Sequence, residues 1–396
     1  MIFSKITLSI CLMLLFFNAI MGQNSGPIPE GLKNSLNSLQ TTVPFLSINP
    51  DSRGGAMGDL GAATSPDANS QTRNAAKYAF IKNKMGLSLS YVPWLRSLVK
   101  DMNLGYLSFY YRFDDRQAIS ASLKYLSIGQ IIFRDSYGQY SGQYMPYELS
   151  VDAGYSRLFS DRLAGGLVLR YIRSDITGGG TIEGQQYNAG NSFAADLGIY
   201  YQKPISLSEM KGEFAWGACF SNLGTKISYT EGSDKQYIPA NLRLGARMTV
   251  HLDEYNSISG SADLNKMLVP TPPVYYADSI DENGNEVILY GRAIPASLPL
   301  SWIQSFYDAP GGFSEEIHEI MISAGLEYWY HQQFAVRAGY FYEHATKGNR
   351  KYFSVGAGFN LNVFYFDFSY LISASGRNNP LANTMRLTMG LDFGKE

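Results

Sequence analysis

Thr384–Phe393, TMRLTMGLDF, sets Met385, Leu387, Met389, Leu391 and Phe393 against Arg386, Thr388, Gly390 and Asp392. Successive side chains of an extended chain point to opposite faces, so this decapeptide is a ribbon with one greasy face and one polar face. Asn362–Leu371 repeats the pattern, opposing Phe364, Phe366, Phe368 and Tyr370 to Tyr365, Asp367 and Ser369. Asn241–Val250 does the same, with Leu242, Leu244, Ala246, Met248 and Val250 against Arg243, Gly245, Arg247 and Thr249. A soluble sandwich alternates too, but its apolar side chains point inward between two sheets. Here the apolar set runs unbroken over about ten residues, the length of a membrane-crossing strand, and the arginines opposite require a polar interior. That is the dyad of a transmembrane barrel.

About fourteen such segments follow one another from Met85–Val92 to Thr384–Phe393, an even number as single-chain bacterial barrels have. Their connections alternate in length. Asp114–Arg116, Ser160–Asp161, His251–Tyr255 and His331–Gln333 are short, whereas Gly129–Pro146, Asp175–Asn191, Ser221–Ala240, Asn265–His318 and Ile372–Asn383 are long. Short turns belong on the periplasmic side and long loops outside the cell. One longer link, Lys203–Lys211, is assigned to the periplasmic side, and the N-terminal segment and the C-terminus are expected there as well. No apolar run of 18 or more follows the N-terminal region, so the spans are strands rather than helices.

The first twenty-two residues read as a secretory signal: Lys5 supplies the charge, Ile6–Ile20 is almost wholly apolar, and Gly22 is a small residue near a cleavage point. The apolar run is shorter than a spanning helix needs. Cys11 sits inside it behind Ile10, a poor context for lipidation, and beyond the signal only Cys219 remains, so no intrachain disulfide is expected. The domain reading is therefore a signal at 1–22, an N-terminal segment and plug at 23–84, and a barrel at 85–396. A net charge of −2 with 17% charged residues gives no nucleic-acid partner and no polybasic membrane mechanism. The 29 tyrosines against 4 tryptophans instead suit the belts where a barrel meets lipid headgroups.

Arg53–Phe80, RGGAMGDLGAATSPDANSQTRNAAKYAF, lies between signal and strands and reads as the plug. Gly54, Gly55, Gly58 and Gly61 allow close approach to a wall, while Asp51, Arg53, Asp59, Asp67, Arg73 and Asn74 suit a polar lumen. A phosphate-cradling loop is the competing reading, but GGAMGDLG lacks the G-x-G-x-x-G spacing and has no strand–helix frame. Among the loops, Tyr275–Tyr290 carries an Asn283-Gly284 hairpin turn. Its Asp281, Asn283, Asn285 and Glu286 place glycine two positions early for an EF-hand, so no calcium site is expected. Leu298–Tyr307 and Pro93–Lys100 read as short helices, either interfacial or packed within loops.

A lipid hydrolase would need a nucleophile activated by histidine. His251 and His331 fall in short turns, and His318 and His344 have no nucleophile motif beside them. Arg337 and Glu343 share a strand face and read as lumen charges rather than an acid–base couple. No metal-ligand spacing occurs. The reading is a non-enzymatic protein with no cofactor.

Thr41–Ser70 (TTVPFLSINPDSRGGAMGDLGAATSPDANS), KYAF at 77–80, GLSLSYVPWLRSLVKDMNLGYLSFYYRF at 86–113, RYIRSD at 170–175 and SFYDAPGGFSEE at 305–316 together resemble PorV, the outer-membrane barrel family of the Bacteroidetes type IX secretion system. That family is in turn similar to the FadL long-chain fatty-acid transporters, whose barrel of about 14 strands is closed by an N-terminal plug. One departure is Asn74-Ala75-Ala76, where the wider family shows Asn-Pro-Ala. The resemblance implies a component that accepts cargo proteins carrying the type IX C-terminal domain from the translocon pore protein (SprA or Sov). It implies delivery to a surface attachment complex containing PorU, PorZ and PorQ. The aromatic-rich outer loops are the expected docking surface, first Tyr137, Tyr140 and Tyr144, then Tyr275, Tyr276, Trp302 and Phe306. The alternative is a FadL-like transporter of hydrophobic small molecules. Against it, Arg243, Arg247, Glu327, Arg337 and Asp367 indicate a wet interior rather than a greasy conduit.

Overall fold

The computed structural model describes residues 37–396 apart from residues 97, 135–136, 180, 183–184, 208–209, 231–234, 282–283, 285, 375–383 and 396. The expected signal at 1–22, residues 23–36 and Asn283 lie outside the described residues. Fourteen strands close into one antiparallel barrel: β1 Asn83–Pro93, β2 Asn103–Asp114, β3 Gln117–Ser127, β4 Tyr147–Ser160, β5 Leu163–Asp175, β6 Gly190–Leu207, β7 Met210–Gly224, β8 Asn241–His251, β9 Asn256–Met267, β10 Ile320–Tyr330, β11 Phe334–Tyr342, β12 Lys351–Leu361, β13 Phe364–Ser373 and β14 Met385–Lys395. Each pairs with the next, and β1 meets β14 in a register that includes Leu89↔Met389. Closure gives every strand two neighbours, so no edge is left for lipid to contact. The chain is an outer-membrane β-barrel.

The dyad governs the wall. In β14 Arg386 and Thr388 are buried while Met389 and Phe393 are exposed, and in β8 Arg243 and Arg247 are buried while Leu244 and Met248 are exposed. Leu87, Leu89, Leu107, Phe109, Leu123 and Val151 continue the outward apolar band across the first strands. Among the described residues no helix is long and apolar enough to cross a membrane, so the strands make the crossing.

Short connections gather at one end of the barrel and long ones at the other. At the turn end Asp253 accepts from the Tyr255 and Asn256 N–H groups at 2.8 and 2.7 Å, and Asn362 adopts a positive φ of 53°. The link expected at Lys203–Lys211 is instead a strand extension. Pairing runs on to Leu207↔Met210, whereas β5 stops opposite β6 at Leu163↔Tyr201. Pro204 therefore lies where β6 has lost one neighbour, the position in a sheet that tolerates a missing N–H.

At the loop end, Val274–Ile280 pairs with Glu286–Tyr290 as the expected hairpin, and Gly284 has φ 83°. Leu298–Gln304 is helical as expected, and Phe313–His318 is a second short helix. The helix expected at Pro93–Lys100 is reduced among the described residues to one turn, Leu98 and Val99 N–H donating to Leu95 O at 2.8 and 3.0 Å, because β1 and β2 pair as far as Pro93↔Asn103 and Leu95 has φ 47°. Gly129–Pro146 contains an unanticipated hairpin, Ile131–Arg134 against Tyr140–Tyr144.

Residues 43–81 run down the inner wall as a chain of short helical turns at Pro44–Ser47, Ser52–Ala56, Ser70–Thr72 and Ala75–Phe80, whereas Asn37 and Thr42 bond to Thr346 and Tyr237 of the long loops, so the segment starts at the loop end rather than at the turn end as expected. Asp51 caps the second, accepting from Gly54 N–H at 2.7 Å and Arg53 N–H at 3.1 Å. Asn74 caps the last, and Ala75 stands at its first position, where a proline's missing N–H costs nothing. The departure from Asn-Pro-Ala is thus compatible with this turn. Tyr78 stacks on Tyr110 at 5.4 Å and Phe80 meets Tyr200 edge-on at 5.4 Å, fixing the segment to the wall.

Candidate site in the lumen and on the loop crown

A buried ion-pair network joins the N-terminal segment to the wall. Arg53 forks onto Glu327 at 2.8 and 2.7 Å, and its Nη1 also reaches Asp67 at 3.0 Å. Glu327 is shared with Arg337 at 2.7 Å, which in turn pairs with Asp367 at 2.5 Å. A second node centres on Asp59, held by Arg386 at 3.1 Å and by the Tyr352 hydroxyl at 2.7 Å, while its carbonyl accepts from Arg243 at 2.9 Å. Asp263 accepts from the Gly61 and Ala62 N–H groups at 2.8 and 3.0 Å and pairs with Arg243 at 3.4 Å. Arg247 donates to the Ala63 carbonyl at 3.1 Å and pairs with Glu213. Such buried charges persist only where partners saturate them.

The glycines permit this proximity. Gly58, at φ 74°, lies against the Tyr340 backbone and donates to Ser354 Oγ at 2.9 Å. Gly55 faces the Arg386 guanidinium, Gly61 the Arg73 stem, and Gly54 the Leu60 carbonyl. Asn74 Nδ2 bridges Ala62 O and Ile199 O, both at 3.0 Å, tying the segment to itself and to β6. The nine residues singled out from 53 to 74 lie in the segment that packs along the inner wall.

The interior is not uniformly wet. Inward positions Val92, Leu104, Leu126 and Ile172 near the loop end form an apolar cluster with Val43, Phe45 and Leu46. These positions face the N-terminal segment rather than water, so the expected polar lumen holds only around the ion pairs. Between cluster and ion pairs lies a cavity of about 1060 Å³, walled by Phe45, Trp94 and Met102 on its apolar side and by Arg73, Arg243 and Arg386 among its cations.

On the crown, Tyr137 is 88% exposed and Tyr140 is exposed too, with Ile131, Ile132 and Phe133 exposed in succession on the paired strand. Tyr144 turns back to the rim, its hydroxyl donating to Asp175 O at 3.3 Å. Tyr275 and Tyr276 are exposed, Phe306 is exposed with Lys266 5.7 Å over its ring, and Trp302 is half-buried. The expected aromatic residues are therefore spread over two loops rather than gathered into one patch.

Sequence spacing gave no sign of the cluster beneath the long loop. Lys347 pairs with Glu315 at 2.6 Å and Glu319 at 2.9 Å, Lys266 pairs with Glu316 at 3.0 Å and Glu319 at 2.5 Å, and Asn37 Nδ2 reaches Glu315 at 3.1 Å. Burial, reinforced by Glu316 and Glu319, pushes the Asp308 carboxyl up to about 8. His318 and His344 stack at 3.5 Å, and burial, with His318, Lys351 and Lys347 adding to it, holds the His344 imidazole below its ordinary value. His251 ends β8, and His331 lies in a turn stacked on Tyr255 at 4.7 Å. Arg337 and Glu343 each pair elsewhere, Glu343 with Arg350 at 2.7 Å. Among the described residues no cluster of three or more His, Cys, Asp or Glu could hold a metal, and Cys219 is a buried free thiol.

The family model for "Type IX secretion system protein PorV" matches residues 32–274. No curated protein matches the chain. Similar solved structures include the toluene transporter TbuX of Ralstonia pickettii, at 13% identity over 88% of this chain and 98% of that one, TM-score 0.43. The toluene transporter TodX of P. putida is 12% identical over 88% and 99%, TM-score 0.45. A FadL homologue of Pseudomonas aeruginosa is 11% identical over 91% and 100%, TM-score 0.42.

Proposed function

Since the chain belongs to the PorV family of type IX secretion system proteins, we propose that this outer-membrane barrel is a non-enzymatic carrier. It accepts cargo bearing the type IX C-terminal domain from the translocon pore protein and passes it to the attachment complex of PorU, PorZ and PorQ. The long loops face the cell exterior, following the rule that short turns are periplasmic; Asn37 and Thr42, bonded to Thr346, Pro272 and Tyr237 of those loops, then lie at the outer end, and the chain runs down the lumen to enter β1 from the periplasmic end. Residues 43–81 act as a plug. The observation that carries this reading is the crown hairpin: Ile131, Ile132 and Phe133 on one strand and Tyr140 on the other are exposed together on a hairpin outside the barrel sheet. Aromatic and aliphatic side chains on such a hairpin supply the anchors that dominate protein–protein contacts.

The lumen network supports the plug role. Its carboxylates and guanidiniums are divided between the segment and the wall, so withdrawing the segment would strand charges on both. The experiment is deletion of the gene, with complementation, and comparison of surface and periplasmic proteins. Proteins bearing the type IX terminal domain should disappear from the surface and return on complementation. If they stay there while uptake of hydrophobic compounds falls, the transporter reading replaces this one.

A further inference from the structure

Arg73 is the one cation on the cavity wall whose side chain makes no hydrogen bond or ion pair among the described residues. Arg386 has Asp59, Arg243 has Asp263, Arg170 has Asp152 and Asp196, Lys347 has Glu315 and Glu319, and Lys124 is met by three carbonyls of residues 45–48. Arg73 Nε is buried and unpartnered, its stem is packed against Gly61, and the residue lines the cavity. An arginine left so in a low-dielectric interior is costly unless an anion completes it. Its neighbour Arg386 likewise has an unpartnered buried Nε.

One further orphan constrains what that anion is attached to. Asn265, which lies opposite Arg243 in the β8–β9 register and lines the same cavity, has a buried Oδ1 without a donor. A ligand carrying N–H groups near its negative end would satisfy it, which a plain alkyl carboxylate does not. The facing wall of Phe45, Trp94 and Met102 offers apolar cover for the stem. At about 1060 Å³ the space is at the upper end of ligand pockets and takes several residues of extended chain.

We propose that the cavity is a binding site for the carboxyl terminus of an extended peptide, with Arg73 pairing the terminal carboxylate and Asn265 accepting a backbone N–H beside it. This deepens the carrier reading and rests on it only for the peptide's origin in a cargo protein.

The test uses the full-length protein in lipid nanodiscs. An acetylated hexapeptide of alternating valine and serine with a free carboxyl terminus, the same peptide as its terminal amide, and dodecanoate are titrated by calorimetry and by Trp94 fluorescence. The Trp94→Phe protein identifies that residue's signal. The free acid should bind at least about tenfold more tightly than the amide, in line with the energy of hydrogen bonds to charged groups. Arg73→Gln should erase the difference without weakening the amide, and Arg73→Lys should keep most of it. Heat-dependent electrophoretic mobility checks that each variant is a folded barrel. If Arg73→Gln does not fold, Met102→Trp, which fills the apolar side, should weaken both peptides.

Equal binding of acid and amide, binding of dodecanoate alone, no binding of any probe, or unaltered selectivity in Arg73→Gln each overturns the proposal. Because the readout is binding to purified protein, its failure is separate from failure of the secretion experiment.

Discussion

Arg53 and Glu327, 274 residues apart in sequence, form a two-pronged ion pair at 2.8 and 2.7 Å inside the barrel. One partner belongs to the N-terminal segment and the other to β10. The pair therefore measures how firmly the segment is seated. Arg53→Met removes a cation from two carboxylates at once, leaving Asp67 without its ion pair and Glu327 with Arg337 alone. Breaking a buried pair from one side costs about 3–5 kcal/mol. Proteolysis from the turn end should cut the segment of the Arg53→Met protein well before that of the parent. Combining it with Asp67→Asn should restore part of the resistance, because the stranded charge is removed. Equal protection of parent and single variant would show that the pair does not seat the segment.

Gly58 combines a left-handed φ of 74° with contact against the Tyr340 backbone. An alanine there incurs about 1–2 kcal/mol of backbone strain and also pushes a methyl group into a main chain that cannot yield. Gly105, at which an added methyl meets nothing, is the control. Gly58→Ala should lower the temperature at which the folded band is lost on electrophoresis, and Gly105→Ala should leave it within experimental error. Matching temperatures for the two would remove Gly58 as a contact point.

The Asp308 carboxyl, raised from 3.8 to about 8 chiefly by burial, lies in the longest loop. Between those values the folded protein holds a proton that the unfolded chain releases. The loop's stability therefore falls as pH rises from about 4 to about 8, and levels off above. Asp308→Asn should flatten this dependence. The His344 contribution is common to both proteins and cancels in their difference. Hydrogen exchange of residues 271–319 at pH 5 and pH 8 measures it; an identical pH response in Asp308→Asn would refute the assignment.

The barrel wall was legible because lipid outside and charge inside impose a period of two that survives without tertiary knowledge. Arg243, Arg247, Arg386 and Asp367 were readable as inward from their strands alone. Their partners were not. Nothing in the spacing joins Asp59 to Arg386 or Arg53 to Glu327, since those pairs depend on how the segment threads through the closed lumen. The apolar inward residues Leu104 and Leu126 defied the polar-lumen rule for the same reason: they meet Phe45, not water. The Pro93–Lys100 helix shrank to a single turn closed on the Leu95 carbonyl because strand pairing up to Pro93 leaves only a short return before Asn103. The Ile131–Tyr144 hairpin was hidden because its exposed, two-sided apolar pattern does not alternate.

That same pattern gives the last prediction. Ile131, Ile132 and Phe133 are exposed on a hairpin outside the barrel sheet, so they add little to barrel stability. Replacing Ile132 with Lys and Phe133 with Ser, or Tyr137 and Tyr140 with Ser, should leave barrel folding and membrane insertion unchanged. Truncating an aromatic anchor at a protein contact costs about 2 kcal/mol or more, roughly thirtyfold in affinity. Surface levels of proteins bearing the type IX terminal domain should fall accordingly, while Tyr144→Phe, which loses only its rim hydrogen bond to Asp175, should secrete normally. Normal secretion by both hairpin variants, with the barrel intact, would move the docking surface to the 268–319 loop, where Tyr275, Tyr276 and Phe306 remain exposed.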